Sequence, residues 1–392
     1  MKRQSLLSVL FSLVLAFIIF PAVSQAKEIV VGASAALTGK YARNGQDQLD
    51  GFNMWVEEVN ARGGLLGEKV RLVHYDDEST PATGQKLYEK LITDDKVDLL
   101  IGPYSSDVAM AASTVAEKYN FPMVSSGASA TEIWTRGYKN IFGLYTPGST
   151  YMEQVLEYAK SKGLKRVALI YQNTAFPRDV ANGVRAKAKA LKMDLVFDEE
   201  YGKDSTDFTS TTIKIKSKKA EVVIGASYLP DSTAFVRQAK ENHLYAKIFA
   251  FAVGPALPDF GANLGLDAEG IMGNTHWEPT LNIPGAKDFA QRYTKKYGRE
   301  PGYHAAGGYG AGQVLEAAVK KANSIDKDKL RQALTELDTV TAFGRYKVDS
   351  NGMQIGKPGY TVQWINGVRQ LILPAKDATA KPVYPFKDWS KR

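Results

Sequence analysis

Short β-branched runs alternate with longer segments of helical spacing from near the start of the chain, the pattern of a parallel sheet covered by helices. In the first part, Ile29 to Ala33, Val70 to Tyr75, Leu99 to Gly102 and Pro122 to Ser125 read as strands. Between the first two, Leu49, Phe52, Val56 and Val59 recur at spacings of three and four, one buried stripe of a helix, and Gly63-Gly64 supplies its left-handed stop. A second series of the same kind follows Thr146-Pro147-Gly148. It runs through a helix near Tyr151 to Ser161, a strand from Arg166 to Tyr171, a helix from Pro177, and strands at Leu195 to Phe197, Glu221 to Ala226 and Lys247 to Ala252. The alternation predicts an α/β chain with two units of similar size. After Gly273 come two helical patterns, Ala286 to Tyr297 and Gly308 to Lys321, and a β-like segment, Tyr360 to Trp364; periodicity alone assigns them to neither unit. The tail 374–392 is polar and proline-bearing, an extended strap or a loose end with Tyr384, Phe386 and Trp389 as its packing points.

The first residues stand outside that alternation. Met1-Lys2-Arg3 precede an apolar run from Leu6 to Phe20, and Val23-Ser24-Gln25-Ala26 closes it with small residues, the pattern of a cleavable secretory signal peptide over 1–26. The run falls short of the roughly 20 apolar residues that a bilayer core requires, and no comparable run recurs, so no membrane insertion is expected after cleavage. A chain of 392 residues has room for two domains at about 100–200 residues each. Its 0 cysteines exclude disulfides, thiolate nucleophiles, zinc-thiolate sites and a lipid-bearing cysteine, and export without them suits a Gram-negative periplasm. A formal charge of +8 would favour nucleic acid, but the basic residues are interspersed with acids. The longest basic cluster, Lys214-Ile215-Lys216-Ser217-Lys218-Lys219, reads as the wet face and end of a helix, so no nucleic-acid partner is expected.

Signals for catalysis are weak. The 4 histidines, His74, His243, His276 and His304, include no pair at the i, i+4 spacing of a zinc helix. His74 falls in a strand pattern, His243 ends a helix, and His276 and His304 lie beside aromatic loop residues. Ser34, Ser129 and Ser227 each follow Gly-Ala but lack the second glycine of a nucleophile elbow. The glycines from Gly307 to Gly312 open a late helix rather than following the first strand, so close helix packing explains them better than a dinucleotide loop. Asp76-Asp77 reads as a solvated turn before a helix at Pro81. No catalytic residue, metal or cofactor is predicted, and the chain is expected not to be an enzyme.

Hydroxyl and small residues at strand ends carry a clearer signal. In an open parallel sheet, ligands sit beyond the carboxyl ends of the strands, where the following helices present free amides. Strand Leu99 to Gly102 runs into Pro103-Tyr104-Ser105-Ser106-Asp107, and Pro122 to Ser125 runs into Ser126-Gly127-Ala128-Ser129, each before a helical pattern. Hydroxyls together with helix-end amides make a carboxylate site without lysine or arginine. The alternative is that Ser105, Ser106 and Ser129 only cap helices.

These segments stand in order with Leu37-Thr38-Gly39, the run Asn60-Ala61-Arg62-Gly63-Gly64-Leu65-Leu66-Gly67, Tyr75-Asp76-Asp77, Arg136-Gly137-Tyr138, Asp207-Phe208 and Ala268-Glu269-Gly270. Together they resemble the leucine/isoleucine/valine-binding protein family, the type I periplasmic solute-binding proteins of branched-chain amino acid ABC importers. The likeness covers nearly the whole chain after the leader. It implies two Rossmann-like lobes, each a parallel sheet flanked by helices, joined by three crossovers near Tyr145, Thr275 and Ser350. Lobe one would comprise 27–145 and 275–350, and lobe two 146–274 and 351–373, with 374–392 as the tail. The resemblance also implies a small-molecule ligand clamped by hinge closure, a monomer, and an ABC-importer permease as the membrane partner.

Carried over by position, Ser106 and Ser129 correspond to the family's side-chain contacts to the ligand carboxylate, with Ser105 and Tyr104 beside them, and Gly127 and Ala128 to its backbone contacts. Phe176 and Tyr228 match the aromatics of lobe two that close over the ligand, and Arg43 and Asn44 a position near the ligand side chain. Tyr104, Tyr151, Phe176, Tyr228 and Trp277 would add aromatic surface near the cleft. Val253 is the departure. Members that bind α-amino acids carry a glutamate there, whereas Ala250-Phe251-Ala252-Val253-Gly254 offers no acid, so Asp231, Asp179 or Glu132 would have to supply the charge. An ammonium desolvated without a carboxylate costs several kcal/mol, most of the roughly 8 kcal/mol of a micromolar affinity. The expected ligand is therefore an aromatic or other organic acid without an α-amino group. A branched-chain or other amino acid, and a role as a ligand-sensing receptor subunit, are the alternatives.

Overall fold

The computed structural model describes residues 28–391, so the predicted signal segment 1–26 lies outside the described residues. The first sheet has five parallel strands, β1 (Glu28–Ala35), β2 (Lys69–Asp76), β3 (Leu99–Ile101), β4 (Met123–Ser125) and β5 (Ile141–Gly143), in the order β2-β1-β3-β4-β5. Between them run α1 (Ala42–Ala61), α2 (Pro81–Thr93), α3 (Ser106–Lys118) and the single turn α4 (Glu132–Thr135). The stripe predicted for α1 is inside: Leu49, Phe52 and Val59 are buried, and the helix stops where Gly63 and Gly64 take φ of 97° and 79°.

The second sheet repeats the plan with β6 (Arg166–Gln172), β7 (Asp194–Tyr201), β8 (Val222–Ala226), β9 (Ile248–Phe251) and β10 (Met272–Thr275). Its helices are α5 (Glu153–Ser161), α6 (Ala175–Ala190), α7 (Thr209–Ser217), α8 (Leu229–Glu241) and α9 (Pro258–Leu264). After β10 the chain returns to the first sheet through α10 (Ala286–Tyr297), α11 (Tyr303–Ala322), α12 (Lys327–Glu336) and a hairpin of β11 (Thr339–Thr341) and β12 (Gly344–Tyr346). It then crosses back to add the antiparallel strands β13 (Tyr360–Ile365) and β14 (Val368–Leu373), giving a seven-stranded order β14-β13-β10-β9-β8-β6-β7.

Helix α11 joins the first layer by packing on α1, β3 and β4. Glycine makes that approach possible: a Cβ on Gly51 would sit 2.2 Å from the Ala305 carbonyl oxygen, and one on Gly308 would sit 2.2 Å from that of Gln48. The connections between the lobes are tied to one another. Gly143 N donates to Gly352 O (2.7 Å), Gln354 Nε2 to Leu144 O (3.2 Å), Gln154 Nε2 to Gly359 O (2.9 Å), and Asn274 Nδ2 to the carbonyls of Tyr151 and Tyr360 (both 3.3 Å).

Several expectations need correction. Helix α11 begins at Tyr303 rather than Gly308, so His304 is helical and not in a loop. The segment after Ser129 forms one turn, not a full helix. Asp77 is not solvated: it is 1% exposed, accepts from Ser34 Oγ (2.8 Å) and Ser79 N (3.0 Å), and burial lifts its carboxyl to about 6. Trp277 belongs to the core of the first lobe, packed on Phe289 and donating to Ala342 O (2.8 Å), and lends no surface to the cleft. Of the two readings of the tail, the strap is realised. Phe386 packs its ring 4.7 Å from that of Phe249, and Trp389 Nε1 donates to Leu244 O (2.6 Å).

Candidate ligand-binding cleft

Strand order reverses between β1 and β3 in the first sheet and between β6 and β8 in the second, and such switch points leave a crevice at the carboxyl ends. The two crevices meet: the rings of Tyr41, after β1, and Tyr228, after β8, lie 4.7 Å apart. Beside Tyr228 is a pocket, open in part to solvent, in which only about 10 Å³ would admit the centre of a water molecule. Aromatic side chains nearly fill the space between the lobes. Tyr104, Ser105, Ser106, Gly127, Ser129, Tyr145, Tyr303 and His304 form one wall, and Tyr151, Phe176 and Tyr228 the other.

The serines hold more than caps. Ser105 Oγ does cap α3, accepting from Val108 N at 3.3 Å. Ser106 instead accepts from the amides of Ser129 (3.2 Å) and Ala130 (3.1 Å), which fastens the loop after β4 to the start of α3. Ser129 Oγ accepts from Tyr151 OH at 3.0 Å, and Tyr151 OH lies 2.5 Å from His276 Nε2, whose Nδ1 is 3.3 Å from Thr146 Oγ1. With protein donors on their lone pairs, Ser106 and Ser129 keep their own protons for an acceptor in the cavity. The Gly127 and Ala128 amides donate to no protein group among the described residues. Gly127 has no room for a side chain, since a Cβ would lie 2.8 Å from the Tyr104 carbonyl oxygen.

No lining side chain carries charge. Burial pushes the phenols of Tyr104, Tyr145, Tyr151, Tyr228 and Tyr303 up, and pushes His304 down to about 3 and His276 well below its usual value, so all remain neutral. The rings contact one another: Tyr151 to Phe176 at 5.2 Å, Phe176 to Tyr228 at 5.6 Å and Tyr303 to His304 at 4.0 Å between centroids. Two of the three acids offered by the sequence, Asp231 and Asp179, are already engaged. Asp231 accepts from Tyr228 N (3.0 Å), Tyr201 OH (2.6 Å) and Gln172 Nε2 (3.0 Å), and Asp179 from Ser149 N (2.8 Å) and from Thr131 N and Oγ1 (3.0 and 2.9 Å).

Four residues singled out in the sequence stand off the wall. Ala128 is buried in the core of the first lobe, and Val253 is 2% exposed behind Ser227, to whose carbonyl it donates at 3.3 Å. Asn44 lies one layer back, its Nδ2 donating to Tyr104 OH at 2.6 Å. Arg43 turns away to Asp47 (2.5 Å) and to Asp259 of the opposite lobe (3.2 Å). Conversely, Tyr145, Tyr303, His304 and the His276 support were not singled out; the aromatic pair before the glycine run at 307–312 was the one local signal for two of them.

Comparison with known proteins follows the same lines. The family described as periplasmic binding protein matches the chain over residues 28–368. "Leu/Ile/Val-binding protein homolog 7" of Brucella suis is 28% identical over 393 residues, covering 95% of this chain and 97% of the relative. Among solved structures, the leucine binding protein LivK from Thermotoga maritima superposes with a TM-score of 0.82 at 24% identity, covering 88% of this chain and 97% of that one. A solute binding protein of an ABC transporter from R. palustris, in complex with benzoate, gives 0.78 at 23% identity, covering 88% and 96%. At these identities the two structures speak to the fold.

Proposed function

The chain belongs to the periplasmic binding protein family, and from that premise we propose that it captures a small organic acid without an α-amino group, an aromatic acid above all, and delivers it to the permease of an ABC importer. The observation that carries this reading is the composition of the cavity wall: hydroxyl and amide donors among neutral aromatic rings, with no acidic side chain. Ser106 and Ser129 would hold the carboxylate through their hydroxyl protons, and Gly127 through its amide. Donors at the start of α3 favour an anion through the helix dipole as well. Tyr104, Phe176 and Tyr228 would flank the apolar body. The predicted leader would place the protein in the periplasm, where the family resemblance implies a monomer.

The second reading is an amino acid, favoured by the names of the Brucella and Thermotoga relatives. It finds no acid on the cavity wall for the ammonium: Val253 carries no charge, Asp231 and Asp179 are engaged, and Glu132 does not line the cavity. Titration calorimetry with benzoate, cinnamate, leucine and phenylalanine separates the two. At least one amino-free acid is expected to bind at micromolar concentration or below, and leucine not at all. Tight leucine binding with no response to the acids would replace this reading by the second.

A further inference from the structure

One side chain of the cavity wall has no role in holding a carboxylate by the scheme above. His304 is 2% exposed and lines the cavity, yet its Nδ1 is buried without a hydrogen-bond partner. Its other nitrogen, Nε2, faces the Asn44 side-chain amide at 3.5 Å, and Asn44 Nδ2 can only donate, so Nε2 is the acceptor and Nδ1 carries the proton. The imidazole is neutral, being pushed down to about 3 by burial. A buried donor left unmet is costly, and native structures rarely keep one without a use. His304 stands on α11, with its ring 5.0 Å from Tyr104 and 4.0 Å from Tyr303, whereas the proposed carboxylate donors sit on the loops after β3 and β4. An oxygen reaching this N–H would therefore be carried by a planar group lodged among these rings.

We propose that His304 Nδ1 is a second polar subsite of the cleft, which takes a hydroxyl oxygen on the ring of the ligand, so that the preferred ligand is a hydroxylated aromatic acid. This rests on the carboxylate reading above and narrows it. His304 is then a specificity-determining residue, and Asn44 positions it by fixing the tautomer. An unsubstituted ring leaves the N–H unmet and binds more weakly, because the unpaired donor has lost its water in the closed cleft.

Calorimetry of the full mature chain with benzoate, 3-hydroxybenzoate and 4-hydroxybenzoate tests this, in the wild type and in His304→Phe. In the wild type one hydroxybenzoate is expected to bind about tenfold or more tightly than benzoate. In His304→Phe the hydroxybenzoate is expected to lose that advantage, so that the ratio of the two affinities falls to within about twofold of one. Equal affinities in the wild type would overturn the proposal, as would an equal loss for benzoate and hydroxybenzoate in the variant, which would make His304 a carboxylate ligand. Should His304→Phe not fold, as judged by circular dichroism, His304→Met is read by the same comparison. Absence of binding to all three acids in the wild type would end the carboxylate reading and this one together, an outcome distinct from parity.

Discussion

Ser106 links the chemistry of the cleft to its stability. Its oxygen accepts from two buried amides, Ser129 N and Ala130 N, and its proton remains for a guest. Ser106→Ala leaves both amides unmet at about 1–3 kcal/mol for a lost buried partner, and removes one of the proposed ligand donors as well. The variant is expected to bind its ligand at least about tenfold more weakly and to melt a few degrees lower, measured by calorimetry and thermal denaturation. Ser105→Ala should differ, because that hydroxyl caps α3 through Val108 N. A cap costs stability alone, about 0.5–2 kcal/mol. At this scale the sequence disclosed the serines, since hydroxyls before a helix are a local signal. It did not disclose His304 or His276, whose partners Asn44 and Tyr151 are 260 and 125 residues away. No local pattern encodes such a contact.

Between elements, α1 and α11 approach until backbone meets backbone at Gly51 and Gly308. Alanine in place of Gly308 gains up to about 1 kcal/mol of helix propensity. It also drives a methyl group to 2.2 Å from the Gln48 carbonyl oxygen, which the helix pair has to relieve by moving apart. Overpacking of this kind costs about 1–3 kcal/mol or more and wins. Gly308→Ala is expected to lower the urea midpoint without changing the slope. Long elements were legible because their periods repeat: β1, β2 and α1 fall within a residue or two of the apolar pattern, apart from the unpatterned start of α1. Strands β5 and β10 were not read: in Ile141-Phe142-Gly143 and Met272-Gly273-Asn274-Thr275 a glycine cuts the apolar run to one or two residues, whereas the equally short β3 is an unbroken Leu99-Leu100-Ile101. Strand β14 and helix α12 were also unread. The strap was half legible: its aromatic packing points were visible, but only the tertiary fold supplies Phe249 and Leu244 to receive them.

In the molecule as a whole, the two lobes touch through a few polar contacts across the cleft. Arg43 meets Asp259 at 3.2 Å, Ala175 N donates to Asp107 at 3.2 Å, and Lys40 Nζ donates to the Lys203 carbonyl. Arg43 and Asp259 side chains are 33% and 34% exposed, so their pair is worth about 0.2–1 kcal/mol. That is small for folding but bears directly on the balance of open and closed forms. Asp259→Asn is expected to weaken ligand affinity by up to about fivefold and to enlarge the ligand-free radius of gyration in X-ray scattering, with the melting temperature of that form nearly unchanged. The way the chain shuttles between lobes has one more effect. The first sheet gets its α11 cover only from residues 303–322, and the second its last two strands only from 360–373. Neither half can be finished while the polypeptide is still emerging from the ribosome, because each waits for segments made near the end. Loop closure over such distances is slow, and that delay postpones the burial of both cores until nearly the whole polypeptide has been made.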